Sequence, residues 1–201
     1  MTTPNKITLA RIVMIPVFVI FAIYYGQSIR RGQPVEWLRF AAILTFLIAG
    51  MSDGLDGYIA RRYNQKSSLG MILDPIADKG LMLCAILTLS LTDWSDVDPD
   101  SARFPIWFPV VVITRDIVLM VGAMVVYFLN GTVQVKTRWT GKIATFFQIV
   151  AIAWLMLQLR FVPLIVIVVI AGLFTLISGI HYVADGVRQL QASGHAHAKR
   201  L

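Results

Sequence analysis

Long apolar runs, separated by short polar segments, make up most of the sequence. A helix needs about 20 mostly apolar residues to cross a bilayer, and six of the runs are long enough. They predict spans over residues 9–25, 37–63, 70–91, 105–129, 143–159 and 162–187. Because every predicted element is helical, the expected fold class is all-α. We predict a polytopic membrane protein, with a bundle of six transmembrane helices in a single domain over residues 1–201.

The composition supports a membrane protein. Of the 201 residues, 57% are hydrophobic and only 14% are charged, and the mean hydropathy is +0.73. A soluble protein has a lower apolar fraction and more charge. The net charge of +7 would suggest nucleic-acid binding in a soluble protein. Here the basic residues lie next to apolar spans, so an anionic lipid surface explains them and no nucleic-acid partner is expected.

The distribution of basic residues between alternate loops predicts the orientation of the spans, because cytoplasmic loops are richer in Lys and Arg. Five basic residues fall on one side, namely Arg30, Arg31, Arg39, Arg103 and Arg160. Ten fall on the other side, namely Lys6, Arg61, Arg62, Lys66, Lys136, Arg138, Lys142, Arg188, Lys199 and Arg200. Both termini are therefore expected on the cytoplasmic side of the cell inner membrane.

Four aspartates lie within two of the predicted spans. A carboxylate at membrane depth costs roughly 2.5–3.5 kcal/mol, so the four require compensating cations. Asp53 and Asp56 are three residues apart, and Asp74 and Asp78 are four apart, so each pair lies on one face of a helix. Because the linker between the pairs is short, we expect the two helices to be antiparallel neighbours. All four carboxylates can then converge on the cytoplasmic side.

The residue types around the aspartates indicate the ligand. Carboxylate oxygens with no His or Cys nearby form a site for hard cations such as Mg²⁺, Mn²⁺ or Ca²⁺ rather than Zn²⁺, and four carboxylates suit two ions better than one. Gly57 and Gly70 allow close approach of a ligand or a helix, and Arg61 has the planar fork that binds phosphate. Together they indicate a polyphosphate. In the alternative interpretation, the aspartates are only ion-pair partners of the basic residues nearby.

These residues resemble the signature of the CDP-alcohol phosphotransferase family, D-x-x-D-G-x-x-A-R, eight residues, then G-x-x-x-D-x-x-x-D. Every fixed position is filled, by Asp53, Asp56, Gly57, Ala60, Arg61, Gly70, Asp74 and Asp78. The resemblance implies that the four aspartates bind two Mg²⁺ or Mn²⁺ ions and that Asp78 also acts as the catalytic general base on the acceptor hydroxyl.

The resemblance also implies the donor and the partners. CDP-diacylglycerol would be the donor and CMP the leaving group, with the CDP moiety bound by the residues Asp56, Gly57, Ala60, Arg61 and Gly70. The opening PNKITLAR, residues 4–11, is similar to the start of many family members. That similarity implies a short interfacial segment along the inner membrane surface before the first span. A homodimer is also implied.

A second basic group is the candidate binding site for an anionic alcohol acceptor. It consists of Arg115, Lys136, Arg138 and Lys142, in the predicted fourth span and the loop after it. Charge-assisted hydrogen bonds from these side chains would hold an anion, although a loop that is simply positive on the cytoplasmic side is the alternative. Arg115 and Asp116 are adjacent and do not share a helix face, so each is expected to find its own partner.

The sequence resembles two groups within the family, and these groups use different acceptors. The stretch GKIATFFQ, residues 141–148, resembles phosphatidylglycerophosphate synthases, which use glycerol 3-phosphate, and also eukaryotic-type cardiolipin synthases, which use phosphatidylglycerol. Asp116 after Arg115 and the stretch SGIHYVADG, residues 178–186, favour the second group. The short loops and the N-terminal opening favour the first, and glycerol 3-phosphate is ranked first.

A cation or proton transporter is a more distant alternative. Transporters also place carboxylates inside spans. A transport function does not explain Gly57, Ala60 and Arg61 at fixed offsets from the aspartates.

Overall fold

A computed structural model shows six α-helices, and the described residues contain no strand. The structure describes the backbone of residues 3–63, 68–95, 103–130 and 139–198. Side chains are described for residues 8–52, 79–95, 103–122, 124, 125, 128 and 139–187. The helices are α1 (Thr3–Arg30), α2 (Glu36–Tyr63), α3 (Ser68–Leu91), α4 (Trp107–Asn130), α5 (Trp139–Met156) and α6 (Leu164–Ala198). The all-helical fold class is therefore confirmed.

The predicted helices correspond one to one with the observed ones, and the differences lie at their ends. α1 is continuous through Pro16 and extends beyond the predicted 9–25 in both directions. α5 begins and ends earlier than 143–159, and α6 continues past residue 187. Several of the apolar runs are flanked by polar residues that can continue a helix. The apolar pattern therefore locates the apolar part of each helix but not the residues at which the helix begins and ends.

Three helices of the described part are long and apolar enough to cross a membrane, over Thr8–Arg30, Trp139–Met156 and Leu164–Val187. A shorter apolar helical stretch covers Lys79–Leu91. The protein is accordingly a membrane protein.

The chain divides into two compact units. The first contains residues 1–105 and 152–164, and the second contains residues 106–151 and 165–201. Helix α5 contributes its first part to the second unit and its last turn to the first.

In the first unit, α1 packs against α2 and α3, and α2 also contacts α3. On α1, Phe18 contacts Phe46 of α2 and Phe21 contacts Trp37, so these two helices run antiparallel. A Cβ on Gly80 of α3 would lie 3.5 Å from Ile15 Cδ1 of α1. A Cβ on Gly26 would lie 2.8 Å from Thr92 Cβ, just after α3, so α1 and α3 run parallel. It follows that α2 and α3 are antiparallel neighbours, as the short linker predicts.

The end of α1 is fixed by a Schellman cap. Gly32 has φ +70°, its N–H donates to Ile29 O at 2.8 Å, and Gln33 N donates to Ser28 O at 3.1 Å. Glycine is favoured at this position because it has no Cβ to clash in the left-handed region. The Ser28 hydroxyl accepts a further bond from Val35 N at 3.1 Å, and α2 begins at the next residue.

A polar cluster lies beside the C-terminal ends of α1 and α3. Trp94 is fully buried and donates from Nε1 to Thr92 Oγ1 at 2.9 Å. Gln158, in the connection between α5 and α6, donates from Nε2 to Tyr25 Oη at 2.9 Å and to Trp94 O at 2.5 Å. Gln158 has φ +53°, which is unfavourable for a residue with a side chain, and its two bonds offset part of that cost.

In the second unit, α4, α5 and α6 pack through small and polar residues. The indole of Trp107 on α4 lies over Gly172 of α6, where a Cβ would be 2.7 Å from the ring. Gln148 on α5 donates from Nε2 to Thr175 Oγ1 on α6 at 2.9 Å, and Phe147 stacks on Phe174 with ring centroids 5.4 Å apart. Small residues and interhelical hydrogen bonds of this kind are typical of helix packing in membranes.

Candidate active site

The four aspartates lie on helices α2 and α3, where the spacing predicts them. Asp53 and Asp56 are in the last part of α2, and Asp74 and Asp78 are in the first part of α3. These are the ends that the short linker joins, on neighbouring antiparallel helices. Their side chains lie outside the described part of the chain, so their convergence and roles stay predictions. Among the side chains that the structure describes, no group of three His, Cys, Asp or Glu residues forms a metal site.

The other positions of the signature are also helical. Gly57, Ala60 and Arg61 follow in α2, and Gly70 is in the first turn of α3. Their surroundings are outside the described side chains as well. The linker 64–67, which contains Lys66, lies outside the described residues altogether.

Arg11 on α1 is a buried charged residue that the sequence reasoning passed over. Its relative exposure is 1%, and Thr8 on the same face has 0%. Arg11 precedes Ile15 by four residues, whereas Asp74 and Asp78 precede Gly80, the neighbour of Ile15, by six and two. Because α1 and α3 run parallel, Arg11 lies at the level of that aspartate pair. A basic residue inside an apolar span was the available signal, since such residues are costly in a membrane.

Arg115 makes two polar contacts in the second unit. Its Nη1 donates to Asp116 Oδ1 at 2.7 Å, and its Nη2 donates to Ser178 Oγ on α6 at 3.1 Å. The side chains of Arg115 and Asp116 are 16% and 17% exposed. The prediction that Arg115 finds its own partner is confirmed by the bond to Ser178, whereas the expectation that the two neighbours do not meet is wrong, because they form an ion pair. The long arginine stem lets the guanidinium reach back across the helix surface to the adjacent carboxylate.

Two glycines leave the room that the Arg115 side chain occupies. A Cβ on Gly141, in the first turn of α5, would lie 3.3 Å from Arg115 Nη2 and 3.5 Å from Ser178 Oγ. A Cβ on Gly179 of α6 would lie 3.5 Å from Arg115 Cγ. The guanidinium is therefore held between α4, α5 and α6 in one position.

The other predicted acceptor residues are less defined. Lys142 is exposed, and its Nζ lies 5.8 Å from the centre of the Trp139 ring, within reach of a cation–π contact. Lys136 and Arg138 belong to residues 131–138, which lie outside the described residues. Of the four predicted acceptor residues, the structure thus places Arg115 and Lys142 in one compact unit.

The sequence model of the CDP-alcohol phosphatidyltransferase family matches residues 1–180. That range contains the whole aspartate signature and Arg115. The chain belongs to this family. The family resemblance inferred from the signature is confirmed, and the protein is a CDP-alcohol phosphatidyltransferase.

The chain aligns with individual relatives over most of its own length and most of theirs. A "Probable phosphatidylglycerophosphate synthase" of Mycobacterium tuberculosis strain H37Rv is 33% identical, over 92% of this chain and 82% of the relative. A "CDP-diacylglycerol--glycerol-3-phosphate 3-phosphatidyltransferase" of Bacillus subtilis strain 168 is 33% identical over 94% of this chain and 97% of the relative. The relative of the same name from Escherichia coli K12 is 34% identical over 76% of this chain and 75% of the relative.

The donor atoms of the signature fit hard divalent cations. Four carboxylates on two adjoining helix ends offer only oxygen ligands, which Mg²⁺ and Mn²⁺ prefer. In an α-helix, residues three or four apart lie on one face, which is the spacing of each aspartate pair in the sequence.

Proposed function

We propose that this CDP-alcohol phosphatidyltransferase transfers the phosphatidyl group of CDP-diacylglycerol to glycerol 3-phosphate, giving phosphatidylglycerophosphate and CMP. The observation that carries the proposal is the agreement among relatives that align over most of their length. Each bears the name of a phosphatidylglycerophosphate synthase or a glycerol-3-phosphate phosphatidyltransferase. The complete aspartate signature in this chain supports the same chemistry.

We propose that Asp53, Asp56, Asp74 and Asp78 hold two Mg²⁺ or Mn²⁺ ions. When bound, the ions neutralise charge on the donor diphosphate and orient it for in-line displacement. Gly57, Ala60, Arg61 and Gly70 bind the CDP moiety together with Asp56. In this arrangement Arg61 contributes a fixed positive charge to the phosphates, and the small residues leave room for the nucleotide.

The reaction is a displacement at phosphorus. A hydroxyl oxygen of glycerol 3-phosphate forms a new O–P bond to the phosphatidyl phosphorus, and the bond from that phosphorus to CMP breaks. We assign Asp78 as the general base that accepts the hydroxyl proton. Arg115, with Lys136, Arg138 and Lys142, binds the phosphate of the acceptor.

The positive charge of Arg115 supports an anionic acceptor. Arginine cannot lose its proton in a protein, so a largely buried guanidinium is a permanent cation. Asp116 neutralises it in part, but the fork has five N–H donors and the described contacts use Nη1 and Nη2 only. The remaining donors are suited to phosphate oxygens.

We further propose that all six helices span the inner membrane, with both termini and the aspartates on the cytoplasmic side. Three helices meet the length and hydropathy required, and the excess of basic residues in alternate loops supports the orientation. The protein is expected to form a homodimer, as inferred from the family resemblance.

The proposal is tested by an acceptor comparison with purified protein in detergent or liposomes. Labelled CDP-diacylglycerol and Mg²⁺ are supplied with either glycerol 3-phosphate or phosphatidylglycerol, and CMP release and lipid products are measured. We expect phosphatidylglycerophosphate with the first acceptor. Formation of cardiolipin from the second, without use of the first, would assign the alternative cardiolipin synthase. Cation or proton flux without nucleotide would instead indicate a transporter.

A further inference from the structure

Three helices of the second unit each carry a buried polar side-chain atom that has no hydrogen-bond partner among the described residues. The atoms are Arg115 Nε on α4, Thr140 Oγ1 on α5 and His181 Nδ1 on α6. The described part of the chain has five such atoms, and three of them belong to this unit. Buried polar atoms are nearly always hydrogen-bonded, and a ligand or water is a common explanation for the exceptions.

The contacts of Arg115 place the three residues in the same part of the unit. Arg115 bonds to Ser178 and lies next to Gly141. Thr140 directly precedes Gly141, and His181 follows Ser178 by three residues, which is less than one helical turn. Each of the three atoms therefore belongs either to Arg115 or to a residue within one turn of a residue that contacts Arg115.

The chemistry of this cluster fits an alcohol that carries a phosphate. Arg115 supplies a fixed positive charge for phosphate oxygens. The Thr140 hydroxyl both donates and accepts, and a neutral histidine ring does the same through its two nitrogens, so both suit a ligand hydroxyl. Thr140 is in the first turn of α5, where free backbone N–H groups add to the attraction for an anion.

We propose that His181 is a specificity-determining residue for the acceptor and that Thr140 assists it. This inference rests on the proposed function. Glycerol 3-phosphate has two hydroxyl groups, of which one attacks the donor phosphorus, loses its proton to the base and displaces CMP. The other keeps its proton and forms a hydrogen bond with His181, while Arg115 contacts the phosphate. His181 takes no part in bond making or breaking.

The test compares glycerol 3-phosphate with 3-hydroxypropyl phosphate, which has the same phosphate and terminal hydroxyl but lacks the middle hydroxyl. We expect the wild-type protein to prefer glycerol 3-phosphate by about 10-fold in kcat/KM. 3-Hydroxypropyl phosphate has no middle hydroxyl, so it would leave buried polar groups of the protein unpaired. In His181→Ala this preference should fall to below about 3-fold. The preference is a ratio of two rates on one preparation, so a partly unfolded variant still gives a valid value.

Three further variants separate recognition from packing. His181→Gln keeps a polar group that can hydrogen-bond and should retain most of the preference. Thr140→Val removes the hydroxyl and should weaken the preference, whereas Thr140→Ser keeps the hydroxyl and should retain it. Thr114→Val is the matched control, because Thr114 is exposed on α4 beside Arg115, and it should leave the preference unchanged.

The outcomes distinguish the inference from the proposed function. A wild-type preference that persists in His181→Ala overturns the role of His181 and leaves the proposed function standing. A wild-type protein that shows no preference between the two acceptors also overturns the inference alone. A wild-type protein that releases no CMP with glycerol 3-phosphate overturns the proposed function, and the inference with it.

Discussion

Arg115 on α4 is tied to Ser178 on α6 by a 3.1 Å hydrogen bond from Nη2 to Oγ. The bond fixes the position of a permanent cation that would otherwise have several rotamers. Gly141 and Gly179 complete the fixation, because a Cβ at either position would come within 3.5 Å of the Arg115 side chain. A guanidinium held in this way loses little conformational entropy when it binds an anion, which favours affinity for a small acceptor.

Replacement of Arg115 by Ala should raise the KM for glycerol 3-phosphate. A charge-assisted hydrogen bond contributes roughly 1.5–3 kcal/mol, which corresponds to an increase of about 10- to 150-fold. The KM for CDP-diacylglycerol should change little, because the proposed donor site does not include Arg115. Steady-state kinetics with each substrate varied in turn measure both values.

Lys142→Ala is expected to change the KM for glycerol 3-phosphate in the same direction and by less, since this ammonium group is exposed to solvent. Arg160→Ala serves as the control, because Arg160 is exposed in the connection between α5 and α6 and lies outside the proposed acceptor site. Equal increases in the KM of both substrates would contradict the assignment of Arg115 to the acceptor.

The metal proposal predicts loss of turnover in Asp53→Asn, Asp56→Asn and Asp74→Asn. Each change removes one ligand charge from a site in which the carboxylates share two ions, so each should affect both ions. Chelation of divalent ions should abolish wild-type CMP release, and Mg²⁺ or Mn²⁺ should restore it. Asp93→Asn is the matched control, because Asp93 forms a 2.7 Å ion pair with Arg30 outside the signature. Retention of a tenth of wild-type activity by all three variants would exclude the two-ion site.

Much of this architecture could be predicted because a membrane span has one dominant requirement, a long apolar run. The predicted 143–159 and 162–187 overlap the apolar helices Trp139–Met156 and Leu164–Ala198 for that reason. The site around Arg115 was less accessible to prediction. The bond to Ser178 joins residues 63 positions apart in the sequence, and no local pattern indicates which helices meet. The ion pair with Asp116 was also missed, because helix-face arguments consider the Cβ direction and neglect the length of the arginine stem.

The proposed orientation predicts opposite labelling of two engineered cysteines. With Cys84 replaced by Ser, a cysteine at Ser67 should react with a membrane-impermeant reagent only from the cytoplasmic side. A cysteine at Ser95, near the Arg30–Asp93 ion pair, should react only from the outside. Labelling of intact cells and of inverted vesicles gives both measurements. The reverse pattern would overturn the orientation that the basic residues predict.

Close packing of α1 against the end of α3 predicts a large effect of a single methyl group. A Cβ added at Gly26 would lie 2.8 Å from Thr92 Cβ, and both atoms are attached directly to the backbone and cannot rotate away. Gly26→Ala should therefore lower the free energy of unfolding by about 1–3 kcal/mol.

Gly50→Ala on α2 is the control for Gly26→Ala, because nothing lies within 4 Å of the Cβ that it would add. Alanine has a higher helix propensity than glycine, so this variant should be neutral or more stable by up to about 1 kcal/mol. Thermal unfolding of both variants in the same detergent compares them. Equal stability of the two would contradict the close approach of α1 to Thr92.

Arg11 should contribute to the stability of the protein. Its side chain is 1% exposed and has an interaction partner within the protein. A hydrogen bond to a charged group contributes about 1.5–3 kcal/mol, so loss of the guanidinium should lower the stability measurably. Arg11→Met keeps the apolar stem and removes the charge, so its loss of stability should reflect the charge. Arg31→Met is the control, because Arg31 is exposed after α1, and it should change stability by less than about 0.5 kcal/mol. Chemical unfolding in detergent, with and without Mg²⁺, measures both variants. A loss in Arg11→Met no larger than that in Arg31→Met would mean that the buried guanidinium does not stabilise the protein.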